Sequence, residues 1–379
     1  MNLDYESLRI LAWGILLLAL IGFAITEGIS LGTCALLTIV SRNNHERNIL
    51  VATVAPSIYL QQSWMIGLIA FIFAAWPLVY AVGFACLQAL ILPIIAAWLI
   101  RPFCLVLRNA LAEQWLSVFD KILSYSNLLA ILGLGLILGN VIKGIPFHLD
   151  DEMHIIFLGD IWALLNPFTV LIALCCSCLI FFHGALYLQL DCRVPFADSC
   201  RAIALKAGVA FLIVFILLSL WLSRLEGYHI NSEILTQSPS NPLLKFVKRG
   251  DELWMDNYLH QFTLWMLPIL VLIAGGLGLW FNHKQKHYEA FLSSCVAMAC
   301  GVLTAGLTLF PFLLPSNRSL NTSLSLWDAS TSQTNLSLLV PVAGIAFLMM
   351  TFLSRWSYRL PNQLTSSTTK QSTCTQHSH

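Results

Sequence analysis

The chain has 379 residues, of which 58% are hydrophobic and only 10% are charged, and its mean hydropathy is +0.77. Soluble domains carry about 25% charged residues, so this composition excludes a soluble protein with an independent catalytic domain and indicates an integral membrane protein. The formal net charge of +1 gives no electrostatic reason to expect a nucleic-acid partner.

Nine apolar stretches follow one another along the chain, each near the roughly 20 residues that a membrane-spanning helix needs. The sequence therefore predicts an all-α integral membrane protein with about nine transmembrane helices in a bundle. Gln61, Gln62 and Ser63 interrupt the second stretch, and such groups need partners inside a bundle. The stretches cover residues 11–28, 51–74, 78–100, 122–142, 167–188, 203–222, 262–281, 291–312 and 336–353.

The distribution of basic residues predicts the orientation in the membrane. Asp4 and Glu6 precede the first stretch where a signal peptide would carry basic residues, so this stretch is predicted to be a retained span. With nine spans and an external N-terminus, thirteen of the 20 Lys and Arg residues fall in the inner connections. Basic residues are retained on the cytoplasmic side. We therefore expect a multi-pass protein of the bacterial inner (plasma) membrane with an external N-terminus and a cytoplasmic C-terminus.

Two regions follow from this pattern. Residues 1–358 are predicted to form one polytopic membrane domain. Residues 359–379 are rich in Ser and Thr and are predicted to be a disordered cytoplasmic tail. The longest connection, from about residue 224 to 261, is predicted to be an external lid or partner contact.

The cysteines do not predict a metal site. Most of the eleven lie inside or beside apolar runs and are interpreted as small buried hydrophobic residues. Cys175, Cys176 and Cys178 cluster, but no His or second cysteine pair stands at metal-ligand spacing from them.

Glu27 and Arg101 are the candidates for a proton path. Ionisable residues at membrane depth are functional candidates by default. Glu27 lies near the inner end of the first span, beside Gly28 and Gly32, which form a small-residue face for a neighbouring helix. Glu27 is either a buried proton relay or an interfacial carboxylate wetted from the cytoplasm. Arg101 either pairs with Glu27 or snorkels to lipid headgroups, and snorkelling is the preferred interpretation.

Other polar and aromatic residues are assigned structural roles. His183 is predicted to be a hydrogen-bonded core histidine rather than a haem ligand. Asp328 is predicted to cap the last span, with Trp327 in the headgroup belt. No nucleotide-binding, zinc-protease or Ser/His/Asp motif stands in a plausible context, so cofactor chemistry is expected in another chain.

Several phrases together resemble subunit II of the bacterial cytochrome bd-type quinol oxidases, in unbroken order from about Asp4 to Tyr358. The most specific is SLSLWDASTSQTNL at residues 323–336. The others are RNNHER (42–47), FAAWPLVYA (73–81), GIPF (144–147), LLNPF (164–168), GALYLQ (184–189), SNPL (240–243) and TAGLTLFPF (304–312).

The resemblance implies an accessory subunit of a bd-type quinol:oxygen oxidoreductase with nine spans and an external N-terminus. It implies a partner, subunit I, which ligates haems b and d and oxidises quinol while dioxygen is reduced to water. It also leaves room for a structural quinone and a small third subunit. Membrane lipid is the remaining expected partner.

This chain departs from the family pattern at acidic positions. Ser30 and Tyr59 stand where the family usually has an acid in the first and second spans, and Val106 stands where an acid often follows the third. Trp64 is retained in the second span and is assigned a structural role. We expect a proton-conducting role to be relaxed or rerouted. The alternatives are a solute or ion transporter, or a degenerate subunit retained for assembly.

Overall fold

Long antiparallel α-helices make up most of the protein, whose computed structural model describes residues 3–55, 58–108, 113–190 and 196–357. The predicted disordered tail, residues 359–379, lies outside the described residues. The helices are α1 (Tyr5–Val40), α2 (Asn44–Val54), α3 (Ile58–Ala75), α4 (Pro77–Arg108), α5 (Glu113–Lys143), α6 (Ile161–Leu164), α7 (Pro167–Leu188), α8 (Ala197–Leu222), α9 (Asp256–His260), α10 (Met266–His283), α11 (His287–Leu309) and α12 (Gln333–Ser357).

Eight of the described helices are long and apolar enough to cross a membrane: α1, α4, α5, α7, α8, α10, α11 and α12. The predicted multi-span bundle is thus confirmed. The remaining predicted span corresponds to α3, whose apolar part, Leu60–Ala75, is shorter than the others.

The predicted start of the second span at Val51 is wrong. Val51 belongs to the separate helix α2, which ends at Val54. The reason is local, because Asn43 caps α2 by accepting a hydrogen bond from the Glu46 backbone N–H. The first residues of α2 are polar and belong to the connection after α1, so they lie outside the predicted apolar stretch.

Three short antiparallel β-hairpins lie at one end of the bundle, which we call the hairpin end. The sequence analysis predicted no strands there. Each hairpin follows a helix that runs toward this end: α5, α8 or α11. The pairs are β1 (Phe147–Leu149) with β2 (Ile155–Phe157), β3 (Gly227–Ile230) with β4 (Val247–Gly250), and β5 (Phe312–Leu314) with β6 (Leu324–Ser325).

Helix α1 lies at the centre of the bundle and contacts α3, α5, α7, α11 and α12. Its closest approach is to α7, where Gly32 meets Gly184. A Cβ atom on Gly32 would lie 2.5 Å from the carbonyl oxygen of Ile180. The predicted small-residue face is therefore confirmed at Gly32, and it brings the last turns of α7 against the half of α1 that carries Glu27.

Candidate functional site

Glu27 and Arg101 form an ion pair inside the bundle. The Arg101 Nη1 atom lies 2.6 Å from Glu27 Oε1, and the two side chains are 0% and 1% exposed. The preferred interpretation of Arg101, snorkelling to lipid headgroups, is wrong. The guanidinium points into the bundle because Glu27, the acid in the buried half of α1, faces it.

Trp98 fixes the Glu27 carboxylate from the same face of α4. Its indole Nε1–H donates to Glu27 Oε1 over 2.7 Å, one turn before Arg101. The Trp98 ring also makes an edge contact with Phe23, 6.2 Å between centroids. Glu27 is thus enclosed by protein and is not an exposed carboxylate at the membrane interface.

Several buried polar atoms around this pair form no hydrogen bond with any described residue. They are Glu27 Oε2, Arg101 Nε and Nη2, Ser30 Oγ and Asn127 Oδ1. Helices α4 and α5 run antiparallel. Arg108 contacts Asp120 at one end of their contact, and Ile94 contacts Gly133 at the other. Asn127 and Arg101 lie between these two contacts and are therefore at the same level. Buried polar atoms are normally hydrogen-bonded, so this region has the polar character of a hydrated site.

Asp120 is a second buried acid that the sequence analysis missed. It lies in α5, fully buried, 2.7 Å from Arg108 Nε and 3.7 Å from Arg47 Nη1. Arg108 also donates to Asn48 Oδ1 over 2.6 Å. The predicted boundary of the fourth span, which left Asp120 outside it, is therefore wrong. The fourth apolar stretch begins at Ile122, but α5 starts earlier and includes Asp120.

His183 is a core histidine, as predicted. It is fully buried, and both ring nitrogens are occupied, with Nδ1 2.8 Å from Ser294 Oγ and Nε2 3.2 Å from the carbonyl oxygen of Ile25. Its ring stacks on Phe291 at 5.0 Å. Neither nitrogen is free to ligate an iron.

Trp64 joins three helices. Its indole N–H donates to Ser354 Oγ of α12 over 2.9 Å, and its ring stacks on Phe347 at 5.9 Å. A Cβ atom on Gly22 of α1 would overlap the Trp64 ring, so the ring fills the space that this glycine leaves. These contacts support the structural role assigned to Trp64.

Asp328 does not cap the last helix, and that prediction is wrong. Helix α12 begins at Gln333, five residues further on, and its first turn uses Ser332 Oγ as an acceptor for the Asn335 N–H. The Asp328 carboxylate instead accepts hydrogen bonds from the backbone N–H and the hydroxyl of Ser325 and lies 2.8 Å from Lys245 Nζ. Burial raises the pKa of Asp328, and the Lys245 ammonium opposes that rise.

Trp327 packs beside this pair. Its ring makes an edge contact with Phe310, 6.4 Å between centroids. The segment before α12 is therefore held by aromatic packing and by the Lys245–Asp328 pair. This pair attaches the segment to the long loop between α8 and α10.

Arg9 holds the same connection to α1, a role the sequence analysis missed. Its fully buried guanidinium donates to Ser330 Oγ at 2.7 Å, to the carbonyl oxygens of Thr236 and Ser238 at 2.6 and 3.1 Å, and to Ser240 Oγ at 2.9 Å. It also lies 3.6 Å from the Tyr5 ring centroid. The sequence signal for this role is weak, because a basic residue near a span end usually faces the headgroups.

A cavity of about 630 Å³ lies between α1, α3, α4, α5, α7, α8 and α11. Its wall is almost entirely apolar, and Glu27 is the one charged residue among the described residues that line it. Trp98 lines it beside Glu27, and Trp76 lines it from the position just before α4. The Trp76 indole N–H is buried and has no hydrogen-bond partner among the described residues.

These features define a multi-pass helical membrane protein with a buried ion pair beside an apolar interior cavity. The family model described as cytochrome bd terminal oxidase subunit II matches residues 8–361. The chain belongs to that family.

Curated relatives agree over most of their length. The chain is 32% identical over 357 residues to the probable cytochrome oxidase subunit 2 of Haemophilus influenzae, with 94% of each chain covered. It is 32% identical over 358 residues to the cytochrome bd-I ubiquinol oxidase subunit 2 of Escherichia coli K12, again with 94% of each covered. It is 24% identical over 351 residues to the cytochrome bd ubiquinol oxidase subunit 2 of Bacillus subtilis, with 91% of this chain and 94% of the relative covered.

The fold is shared with a chain in the solved structure of the bd oxidase from Geobacillus thermodenitrificans. The TM-score is 0.69 at 10% sequence identity, over 95% of this chain and 99% of that one. The apolar helices and the family together make this a multi-pass protein of the bacterial inner membrane.

Proposed function

We propose that this chain is the accessory subunit of a bd-type quinol oxidase. The complex would oxidise two quinols and reduce one dioxygen to two waters. The observation that carries the proposal is the family match across almost the whole chain. It supports this function over a solute or ion transporter.

Haems b and d belong to the partner subunit in this proposal. When bound there, they supply the electron transfer and oxygen reduction of the complex. Within the described part of the chain, His183, the histidine in the middle of the apolar helices, does not fit a haem, since it uses both ring nitrogens in hydrogen bonds. Among the described residues, no group of three or more His, Cys, Asp or Glu side chains could hold a metal ion.

Glu27 and Arg101 are proposed to handle protons for the complex. The support is a titratable carboxylate inside the bundle, one unpaired oxygen on it, and further unpaired polar atoms on Arg101, Ser30 and Asn127. Buried water commonly satisfies such atoms, and a chain of water and carboxyl groups can carry protons. Asp120 also lies in the contact between α4 and α5. It is a further buried acid, closer than Glu27 to the end of the bundle opposite the hairpins.

The apolar cavity is proposed to hold a structural quinone. Its volume of about 630 Å³ and its apolar wall suit an isoprenoid tail. The unpaired Trp76 indole N–H offers a hydrogen bond to a ring carbonyl. Solvent extraction of the purified complex followed by mass spectrometry should recover quinone, and less of it from a Trp76→Phe variant. Equal recovery would contradict the role of Trp76.

The hairpin end is proposed to face the outside of the membrane and the opposite end the cytoplasm. The support is the excess of Lys and Arg in the connections at the opposite end. A small third subunit remains a prediction.

Co-purification tests the proposed function. A tag on this chain should recover a haem-bearing subunit and quinol-dependent oxygen uptake. A stable homo-oligomer without haem, or solute flux in proteoliposomes that contain this chain alone, would contradict it.

A further inference from the structure

Trp98 connects three helices of the bundle. Its indole N–H donates to Glu27 Oε1 of α1 over 2.7 Å, and its backbone carbonyl oxygen accepts a hydrogen bond from Gln62 Nε2 of α3 over 2.9 Å. Gln62 is one of the polar residues that interrupt the second apolar stretch. The structure therefore gives this interruption a partner next to the candidate site.

The Trp98 carbonyl is available to Gln62 because of Pro102. In an α-helix each carbonyl oxygen accepts a hydrogen bond from the N–H four residues further on. Pro102 stands at that position and has no N–H, yet α4 continues through it to Arg108. A carbonyl freed in this way inside a membrane needs another donor, and neighbouring helices commonly supply it. Gln62 supplies that donor from α3.

This hydrogen bond is made in the turn of α4 that holds Glu27. Trp98 lies one turn before Arg101, and both contact the same carboxylate oxygen, at 2.7 and 2.6 Å from Glu27 Oε1. A proline ring crowds the carbonyl four residues before it and favours a kink in that turn. A donor on the Trp98 carbonyl therefore fixes the backbone from which the indole reaches Glu27.

The two contacts leave one oxygen of Glu27 for a proton. The indole and the guanidinium occupy Oε1, whereas Oε2 is buried and forms no hydrogen bond with any described residue. Each carboxylate oxygen accepts about two hydrogen bonds, so a proton can add at Oε2 without breaking either contact. The orientation of the carboxylate thereby decides which atom takes the proton.

We propose that Gln62 is a positioning residue for Glu27. It holds the carbonyl that Pro102 leaves without a helical donor, so that the Trp98 indole stays on Oε1 and Oε2 takes up and releases the proton. The assignment rests on the proposed proton role of Glu27. Gln62 acts through Trp98 and exchanges no proton itself.

Restoring the missing helical donor tests this chain of contacts. Gln62→Met keeps the length of the side chain and removes the amide. It should lower oxygen uptake per haem about threefold, the effect of one interhelical hydrogen bond in a membrane. Pro102→Ala gives α4 an N–H that can donate to the Trp98 carbonyl. In that background Gln62→Met should leave turnover unchanged, because the carbonyl keeps a donor from its own helix.

Pro93→Ala is the matched control for the rescue. Pro93 is the other proline within α4, and its removal provides a donor for the carbonyl of Ala89 instead of that of Trp98. Gln62→Met should therefore still lower turnover about threefold in this background. If Gln62→Met alone assembles poorly, the yield of complex becomes the readout, and Pro102→Ala but not Pro93→Ala should restore it.

Three results would overturn the proposal. Equal losses in the native, Pro93→Ala and Pro102→Ala backgrounds would show that Gln62 does not act through the Trp98 carbonyl. The absence of a loss in the native background would show that Gln62 positions nothing. A rescue by both proline variants would show a general effect of removing a proline from α4.

Trp98→Phe separates positioning from packing. This variant keeps the backbone carbonyl and removes the indole N–H that reaches Glu27. In this background Gln62→Met should still lower the unfolding temperature of the complex, because the bond to the carbonyl is lost. It should cause no further loss of turnover. A further threefold loss would show that Gln62 affects turnover by a route other than the indole.

Failure of the proposed proton role is a separate result. If the double variant Glu27→Gln with Arg101→Gln keeps normal turnover, Glu27 carries no protons, and the positioning role of Gln62 is overturned together with that function. If the double variant has low turnover but Pro102→Ala does not rescue Gln62→Met, the proton role stands and only the assignment of Gln62 fails.

Discussion

The Glu27 carboxylate and the Arg101 guanidinium meet 2.6 Å apart in the interior of the bundle, where neither is more than 1% exposed. Removing one member of such a pair leaves an uncompensated buried charge, which costs about 3–5 kcal/mol. We therefore expect Glu27→Gln to lower both the yield of the assembled complex and its turnover. Yield is measured as haem per unit of membrane protein, and turnover as oxygen uptake per haem.

The double variant Glu27→Gln with Arg101→Gln separates these two effects. It removes both charges, so assembly should recover while turnover per haem stays low if Glu27 carries protons. Recovery of both would show that the pair is only structural and that the proton path lies in the partner. That result would also favour the interpretation of a degenerate subunit retained for assembly.

Lys245 and Asp328 form another largely buried pair, 2.8 Å apart at the hairpin end. Lys245→Met and Asp328→Asn should each destabilise the protein by about 3–5 kcal/mol, because each leaves its partner charged and buried. The double variant should regain most of that stability. Thermal unfolding of the detergent-solubilised complex measures the cycle, and additive effects of the two changes would show that the pair is not coupled.

Arg9 fastens the long connection to α1 through three hydrogen bonds and donates a fourth to Ser330 Oγ before α12. A lysine cannot reproduce this forked geometry, so Arg9→Lys should loosen the connection although the charge remains. Hydrogen bonds to a charged group make a net contribution of about 1.5–3 kcal/mol each. Limited proteolysis should therefore cut residues 231–245 faster in the variant. Arg224→Lys, outside this cluster, is the control and should leave the cleavage rate unchanged.

Gly32 is required by the close approach of α1 to α7. In Gly32→Ala the new methyl group would lie 2.5 Å from a backbone carbonyl oxygen that cannot turn away, and overpacking of this kind costs about 1–3 kcal/mol. We expect a lower unfolding temperature. Gly276→Ala is the matched control, since nothing lies within 4 Å of a Cβ atom there. A similar loss in both variants would mean that helix propensity or insertion, not packing, is responsible.

The sequence predicted the helical bundle because a bilayer span requires a long apolar run, and such runs are visible without any tertiary information. Boundaries were harder. Polar helix ends such as the start of α2 and the first turns of α5 carry no hydropathy signal, so Val51 was assigned to the wrong helix and Asp120 was placed outside a span. The short hairpins were missed because strands of two to four residues leave too little pattern to detect.

The candidate site could be located from the sequence only in part. Glu27 was found because an acid inside an apolar run is costly. Its partnership with Arg101 depends on how α1 and α4 are rotated about their axes, which hydropathy does not determine. Arg9 lies near a span end, where a basic residue usually faces headgroups, and Lys245 lies in the middle of the longest connection. Only the fold shows that loop carbonyl oxygens and Asp328 surround them.

The visible absorption spectrum of this chain, purified with and without the partner subunit, tests the central claim most directly. The claim is that the chain supports haem chemistry without ligating haem. The complex should show the bands of haems b and d, and the chain expressed alone should show none while remaining folded by circular dichroism. Haem bands in the isolated chain, or their absence from the complex recovered through this chain, would contradict the account.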